Sequence, residues 1–409
     1  MNALRPILVR FVIAALLIAS SEGCSSGADR ADHEFRIYRE GPITIAETTG
    51  GPRFEGEIFE YEPVTEIRED PDRAEPLLFN PTTIWIDESG LVFVSDYGNK
   101  RIVVFDQDGE YLRAFGRDGE GPGEFRAIRI HGVRNGVVTI WDWNMRRATF
   151  YGTDGSFIGL RPAARPARAE GIQVDPDGYS YHFYYTASET QLIQSNGYGV
   201  IVFDAAGDSI CDIRTREVET VRQIPIGDIP FPVSIPFSAR TSVTLTGPGE
   251  IIRSSGEEPI LEFFDRSGIL TRKVILDLPP ERVIERERGA IRDSMWARQE
   301  RATSDQIREL YQEMVEVMDI PGIKPYWTDA LVDSNGYIWL EFSDSGYGLT
   351  ADEGRRFRVL SPDGSTWVTQ PSLSAEDTWP SAGLWASAGM RRAASVSRAS
   401  SLSDRLWMD

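Results

Sequence analysis

The chain has 409 residues, with 43 Lys+Arg against 63 Asp+Glu and a formal net charge of −20. That balance excludes recognition of a phosphate backbone, which needs clustered cations, and a polybasic role at a membrane surface. Two cysteines exclude a disulfide scaffold, and 41% hydrophobic content is that of a globular chain. The three histidines, His33, His131 and His182, argue against a multi-histidine metal site.

In chain order, Arg5 and Arg10 come first, around the start of an apolar run, Phe11–Ala19. A run this short suits a signal-peptide core and does not span a bilayer. Ala19, Ser20 and Ser21 then lead to Gly23-Cys24. The whole resembles a bacterial lipoprotein signal, with Glu22 departing from the usual pattern. The resemblance implies a signal peptide over 1–23, lipid on Cys24 and, with Ser25 following, the outer membrane. Plain secretion after cleavage near Ser21 is the alternative. Residues 24–35 read as a polar tether. Cys211 is then the one other thiol, expected as a small core residue.

From Pro81 onward one pattern recurs. A β-rich run meets a turn ending in Gly, and a second run follows. Then comes an aromatic residue or Leu and another Gly turn. The first turns end at Gly90, Gly136, Gly178, Gly249 and Gly336; the second end at Gly109, Gly155, Gly207, Gly268 and Gly364. The separations within each unit are 19, 19, 29, 19 and 28 residues. Asp and Asn in these turns bond the local backbone, and Gly accepts the positive φ that tight hairpins need. Four short strands per unit predict stacked four-stranded antiparallel blades, an all-β propeller. The stretch Asp96-Tyr-Gly-Asn-Lys-Arg-Ile102 resembles an NHL-type repeat, and Gly119-Glu-Gly-Pro-Gly-Glu-Phe125 resembles an inter-blade loop of secreted bacterial propellers. The resemblance, to six-bladed propellers of the TolB-like superfamily, implies a ring over 36–378. Its sixth blade is expected from Ile43–Ala46, Val64–Ile67 and C-terminal strands. The Ser/Ala/Arg-rich tail, 379–409, carries no strand signal.

Residues 280–318 interrupt the β pattern. Ile307, Leu310, Tyr311, Met314, Val315 and Met318 share one helical face. A helical insertion is expected there, with Thr303 or Ser304 as N-cap.

Candidate ligand-binding residues are the repeated pairs Asp96/Arg101 and Asp142/Arg147, with Trp141, Trp143 and Tyr184 as a stacking surface for sugar or peptide. The competing structural readings are a hairpin lock for the pairs and inter-blade packing for the rings. No cofactor is expected. Calcium would need oxygen ligands such as Asp142, Asn144 and Glu341 to converge from separate blades. Related zinc-dependent lyases need more histidine than the blades hold. The reading is a cell-envelope scaffold that binds a protein, peptide or glycan, touches the membrane only through a lipid anchor, and is not an enzyme. The alternatives are a calcium-dependent hydrolase or lyase at the propeller axis, and a purely structural envelope component.

Overall fold

The computed structural model describes residues 34–50, 61–67, 78–341 apart from short gaps, 355–373 apart from 365–366, and 394–399. The signal, Cys24 and most of the tether and tail lie outside the described residues.

Five antiparallel sheets follow one another along the chain. The first holds Pro81–Ile86, Val92–Asp96, Arg101–Phe105 and Tyr111–Phe115. The second holds Arg129–Arg134, Val137–Asp142, Arg147–Gly152 and Phe157–Pro162. The third begins with Ala169–Val174, Ser180–Glu189, Ile193–Phe203 and Ser209–Arg214, and the fourth with Thr241–Gly247, Glu250–Ser255, Ile260–Asp265 and Leu270–Leu276. The fifth holds Asp329–Val332, Ile338–Glu341, Arg355–Leu360 and Trp367–Leu373. The turns work as their sequence requires. Asp87 Oδ1 accepts the N–H groups of Ser89 and Leu91, each at 2.9 Å, and Gly90 takes φ 88°. Asp106 and Asp265 repeat the device at the second turns.

Apolar faces of neighbouring sheets close on each other, as stacked blades must. Phe93, Ile102 and Val104 of the first meet Ile128, Ile130 and Ile140 of the second. Tyr181, Val200 and Val202 of the third meet Leu245, Ile251 and Phe264 of the fourth. Ile252, Phe263 and Val274 of the fourth meet Trp327, Leu340 and Leu360 at the fifth. Each such fully buried side chain is worth roughly 1.5–3 kcal/mol. First strands are also stitched together. The indole Nε1 of Trp85 donates to the Ile130 carbonyl at 3.1 Å, while Thr83 Oγ1 and Ser95 Oγ accept the Ile130 N–H at 3.1 and 3.0 Å.

The closing strands differ from expectation. Ile43–Thr49 does not enter a sixth blade; it pairs in parallel with Leu270–Leu276, and Glu34–Glu40 pairs outside it. The fourth sheet thereby has six strands. The alternating Ile45/Glu47 pattern suits any half-covered edge, and the outer edge of blade four takes it. Tyr61–Ile67 does pair with a C-terminal strand, as expected, but that strand is Ala394–Ala399, inside the tail that carried no strand signal.

The third unit's wider turn spacing has a plain cause. Its second and third strands are 10 and 11 residues long and form a hairpin that overshoots the blade. Val218–Ile226 and Ile229–Ser234 extend that overshoot as further strands. Helices α1 (Glu285–Glu300) and α2 (Asp305–Val317) lie against this extension, through Met314 on Val233 and Ile291 on Phe237. Ser304 is the N-cap of α2, accepting the Ile307 N–H at 3.3 Å. A buried Lys324–Glu287 ion pair at 2.5 Å ties α1 to the segment leading into blade five.

Candidate functional site

In each sheet the first strand starts opposite the end of the second, as Pro81 does opposite Asp96 and Asp329 opposite Glu341, and the stacking of blades in a propeller gathers these starting ends at one mouth. The turns between second and third strands, 97–100 and 143–146, lie at that same end. So do the connections from one blade to the next, including the helices.

The two repeated pairs sit here, and their carboxylates hold turns, while the Arg147 Nε is buried without a hydrogen-bond partner. Asp96 is fully buried. Its Oδ1 accepts the Phe79 N–H at 2.7 Å; its Oδ2 accepts Asn99 Nδ2 and Arg101 Nε, both at 2.8 Å. Asp142 is equally buried and accepts the N–H groups of Arg126, Asn144 and Met145 at 2.8, 3.0 and 2.9 Å. Arg147 donates to the carbonyls of Glu120, Gly121 and Glu124 at 2.8–3.0 Å, fixing the inter-blade loop. Gly98 is needed for the first lock, since an added Cβ would lie 2.4 Å from the Phe79 carbonyl oxygen.

The aromatic candidates divide. Trp141 is 1% exposed and packs on Ala148, Ala163 and Ile172. Tyr184 is buried; its hydroxyl donates to Asp212, and Arg165 lies 4.8 Å from its ring centroid. Neither ring faces solvent. Trp143 is 37% exposed and stacks on Tyr97, with centroids 5.5 Å apart and 10° between planes. Lys100 Nζ lies 3.4 Å from the Tyr97 centroid, and the Arg129 guanidinium 5.9 Å from that of Trp143.

A second group at the mouth was missed in the sequence: Arg129, Glu170, Tyr198, Arg240 and Asp329. Arg129 and Asp329 open the first strands of blades two and five, and Arg240 directly precedes that of blade four. Glu170 is the extra residue of a β-bulge, between the pairs Ala169↔Tyr184 and Gly171↔Phe183. Bulges release a side chain from the ladder and re-aim it, and they favour sites of function. Burial pushes the Glu170 carboxyl up, against the opposing pull of Arg129. Burial pushes the Arg129 guanidinium down, with Glu170 opposing. The Tyr198 phenol is raised by burial, then by Glu170 and Asp329, with Arg240 pulling the other way. Yet Tyr198 is 41% exposed, so one edge of the crowded ring remains open to solvent. Desolvated acids and bases held together in this manner mark functional sites. One signal was available: each strand-start residue lies seven to nine positions before its blade's first-turn glycine, at Gly136, Gly178, Gly249 or Gly336.

The two described histidines are occupied structurally or hidden. His182 accepts the Ala164 N–H at Nδ1, 3.2 Å, and meets Ser180 Oγ at Nε2, 3.2 Å. Burial, then Arg161, lowers its pKa to about 4. His131 is the bulge residue of blade two, and its buried Nε2 has no hydrogen-bond partner. Gly171 makes room for its ring, since an added Cβ would lie 2.0 Å from Cε1. Cys211 is half-buried, and burial raises its thiol, which keeps it protonated. Among the described residues, no three His, Cys, Asp or Glu side chains group as metal ligands. Of the calcium set, Asp142 is buried and already accepts three backbone N–H groups, so its carboxylate is committed to the turn.

No curated protein matches the chain. Among solved structures, it is similar to a putative exported protein from Bacteroides fragilis, at 14% identity over 77% of this chain and 76% of that one, TM-score 0.42. Virginiamycin B lyase from Staphylococcus aureus, crystallised with quinupristin, is similar at 10% identity over 79% and 92%, TM-score 0.36. Glutaminyl cyclase from Myxococcus xanthus is similar at 10% identity over 69% and 94%, TM-score 0.26. These likenesses concern fold alone. They correct one expectation: structures similar in fold include a lyase and a cyclase, so the reading of a non-enzyme does not stand. Residues 75–221 match the model of the DUF5128 family, described as a 6-bladed beta-propeller, and with the repeated four-stranded sheets this makes the chain an all-β, six-bladed propeller with a helical insertion.

Proposed function

We propose that the protein is a propeller enzyme of the lyase or hydrolase class, acting at the mouth of the ring by acid–base chemistry of its own side chains. The observation that carries this is Glu170, a desolvated carboxyl freed by a bulge and set against Arg129. A carboxyl with a raised pKa is a better proton acceptor near neutral pH than an ordinary one. In this reading Glu170 takes a proton from the substrate or from an attacking water. The raised Tyr198 phenol stays protonated at neutral pH and supplies a proton to the leaving group. Arg240 and Arg129 hold anionic character on the ligand.

Glu170→Gln removes the acceptor with little change of shape. Against a panel of envelope glycans and peptides, the wild type should turn over one class. The variant should lose about 10²–10⁴-fold in kcat with Tm unchanged. Undiminished turnover by Glu170→Gln overturns the assignment.

The exposed Tyr97–Trp143 pair favours a second reading, docking of an envelope protein, peptide or glycan beside the mouth. We also propose export and lipid attachment at Cys24, supported by the apolar run and Gly23-Cys24. The mass of the mature N-terminus tests it: Cys24 should be the first residue and carry acyl chains, and an unmodified start near Glu22 sinks the claim. The NHL-type likeness of blade one supports placing the protein near that subgroup.

A further inference from the structure

The charged centre of the mouth lies between two sets of exposed aromatic rings. On one side, the Arg129 guanidinium is 5.9 Å from the Trp143 centroid, and Trp143 stacks on Tyr97. On the other, Tyr198 stands directly opposite Tyr185 across the long hairpin of blade three. Residues paired in this way present their side chains on one face of the sheet. Trp143, Tyr185 and Tyr198 are 37%, 37% and 41% exposed. Between them, Arg129 and Glu170 act on each other electrostatically, and Glu170 acts on Tyr198. A track of rings, cation, acid and rings therefore runs from blade one to blade three.

Such a track suits a chain of linked sugars better than a compact molecule. Aromatic side chains cover the C–H faces of sugar rings, and cations beside them pair with a carboxylate. Lys100 over the Tyr97 ring, Arg129 and Arg240 supply the cations. A net charge of −20 repels an anionic polymer from the rest of the surface, so this local group decides where it settles. The centre also matches the chemistry of a uronic acid. Its C–H beside the carboxyl becomes acidic once a guanidinium neutralises the carboxylate, and the neighbouring carbon carries the glycosidic oxygen as leaving group.

We propose, on the acid–base reading of Glu170, that the substrate is a polysaccharide of uronic acids, cleaved at the mouth by β-elimination while Tyr97–Trp143 and Tyr185 hold the sugars on either side. Arg129 pairs with the carboxylate of the reacting sugar. Glu170 removes the proton beside that carboxylate, the electron pair forms a C=C bond, and the bond to the glycosidic oxygen breaks. Tyr198 protonates that oxygen, and the proton on Glu170 returns to the phenolate through solvent. The products are two shorter chains, one ending in an unsaturated sugar, and no co-reactant is consumed.

Incubating the full chain with polygalacturonate, alginate and neutral dextran tests this. On one of the two polyuronides, ultraviolet absorbance from the conjugated C=C bond should rise in step with new reducing ends, and dextran should stay intact. Trp143→Ala and Tyr185→Ala should each raise KM about three- to tenfold with kcat held, the mark of lost ground-state binding. Reducing ends without absorbance, abolished by Glu170→Gln, overturn the elimination and leave the acid–base role of Glu170 standing. Inaction on both polyuronides overturns the substrate class, and the envelope panel then tests Glu170 alone. Turnover unchanged by Glu170→Gln overturns both readings, and a KM indifferent to both ring variants overturns the track.

Discussion

Replacing Asp96 with alanine should cost about 3–5 kcal/mol of stability, the usual penalty for breaking a buried, hydrogen-bonded charge pair. The reason is local. Asp96 is fully buried and accepts from three groups, among them the Arg101 guanidinium, whose side chain is only 16% exposed. Removing the carboxylate strands a buried cation and two donors together, and each unmet donor adds its own desolvation cost. Asp96→Asn should recover part of the loss, since the amide oxygen still accepts. The urea midpoint, read with the m-value held constant, measures the effect. A loss under about 1 kcal/mol would mean that the hairpin does not depend on the carboxylate, and would return Asp96 to the list of ligand-binding candidates.

The second large effect separates two neighbouring tryptophans. Trp141→Ala should cost about 3–5 kcal/mol, because it empties a closed site between blades two and three. Trp143→Ala should stay within about 1 kcal/mol, because its ring is partly solvated and gives up chiefly the Tyr97 stack. Ligand affinity should show the opposite order, falling with Trp143→Ala wherever the mouth face is engaged. Equal stability losses at both positions would contradict the burial that distinguishes them.

The architecture was legible because turns are written in short-range chemistry. Asp87, Asp106 and Asp265 bond the backbone within four residues, so each signals its hairpin without distant partners. The helical insertion was legible for a similar reason, since Ile307, Tyr311 and Met314 keep a helical period. Ring closure was not. Ile43–Thr49 finds its partner more than 200 residues later, and nothing in its alternation says which edge it will cover. The site was hidden for another reason. Glu170 and His131 owe their positions to single-residue bulges, which shift register without disturbing the apolar pattern. Repetition drew attention to Asp96 and Asp142, yet those groups are engaged in the hairpins. The mouth group draws Arg129 from blade two, Glu170 and Tyr198 from blade three, and Arg240 and Asp329 from blades four and five, so its strand-start members share a place before the first turn but not a residue type that would mark it as a motif.

The clasp on blade four also bears on the order of assembly. Residues 43–49 are synthesised early, but their parallel partner, 270–276, follows only after three blades have been made. Contacts so distant along the chain are slow to form, because a long loop must close before it gains anything. Until then the hairpin from Glu34 carries Phe35 and Ile37 without a sheet to join. The early chain therefore holds a β-hairpin without its sheet partner through most of its synthesis. Sealing that hairpin onto blade four is a late event, and the lifetime of the waiting segment is the interval in which a chaperone would matter most.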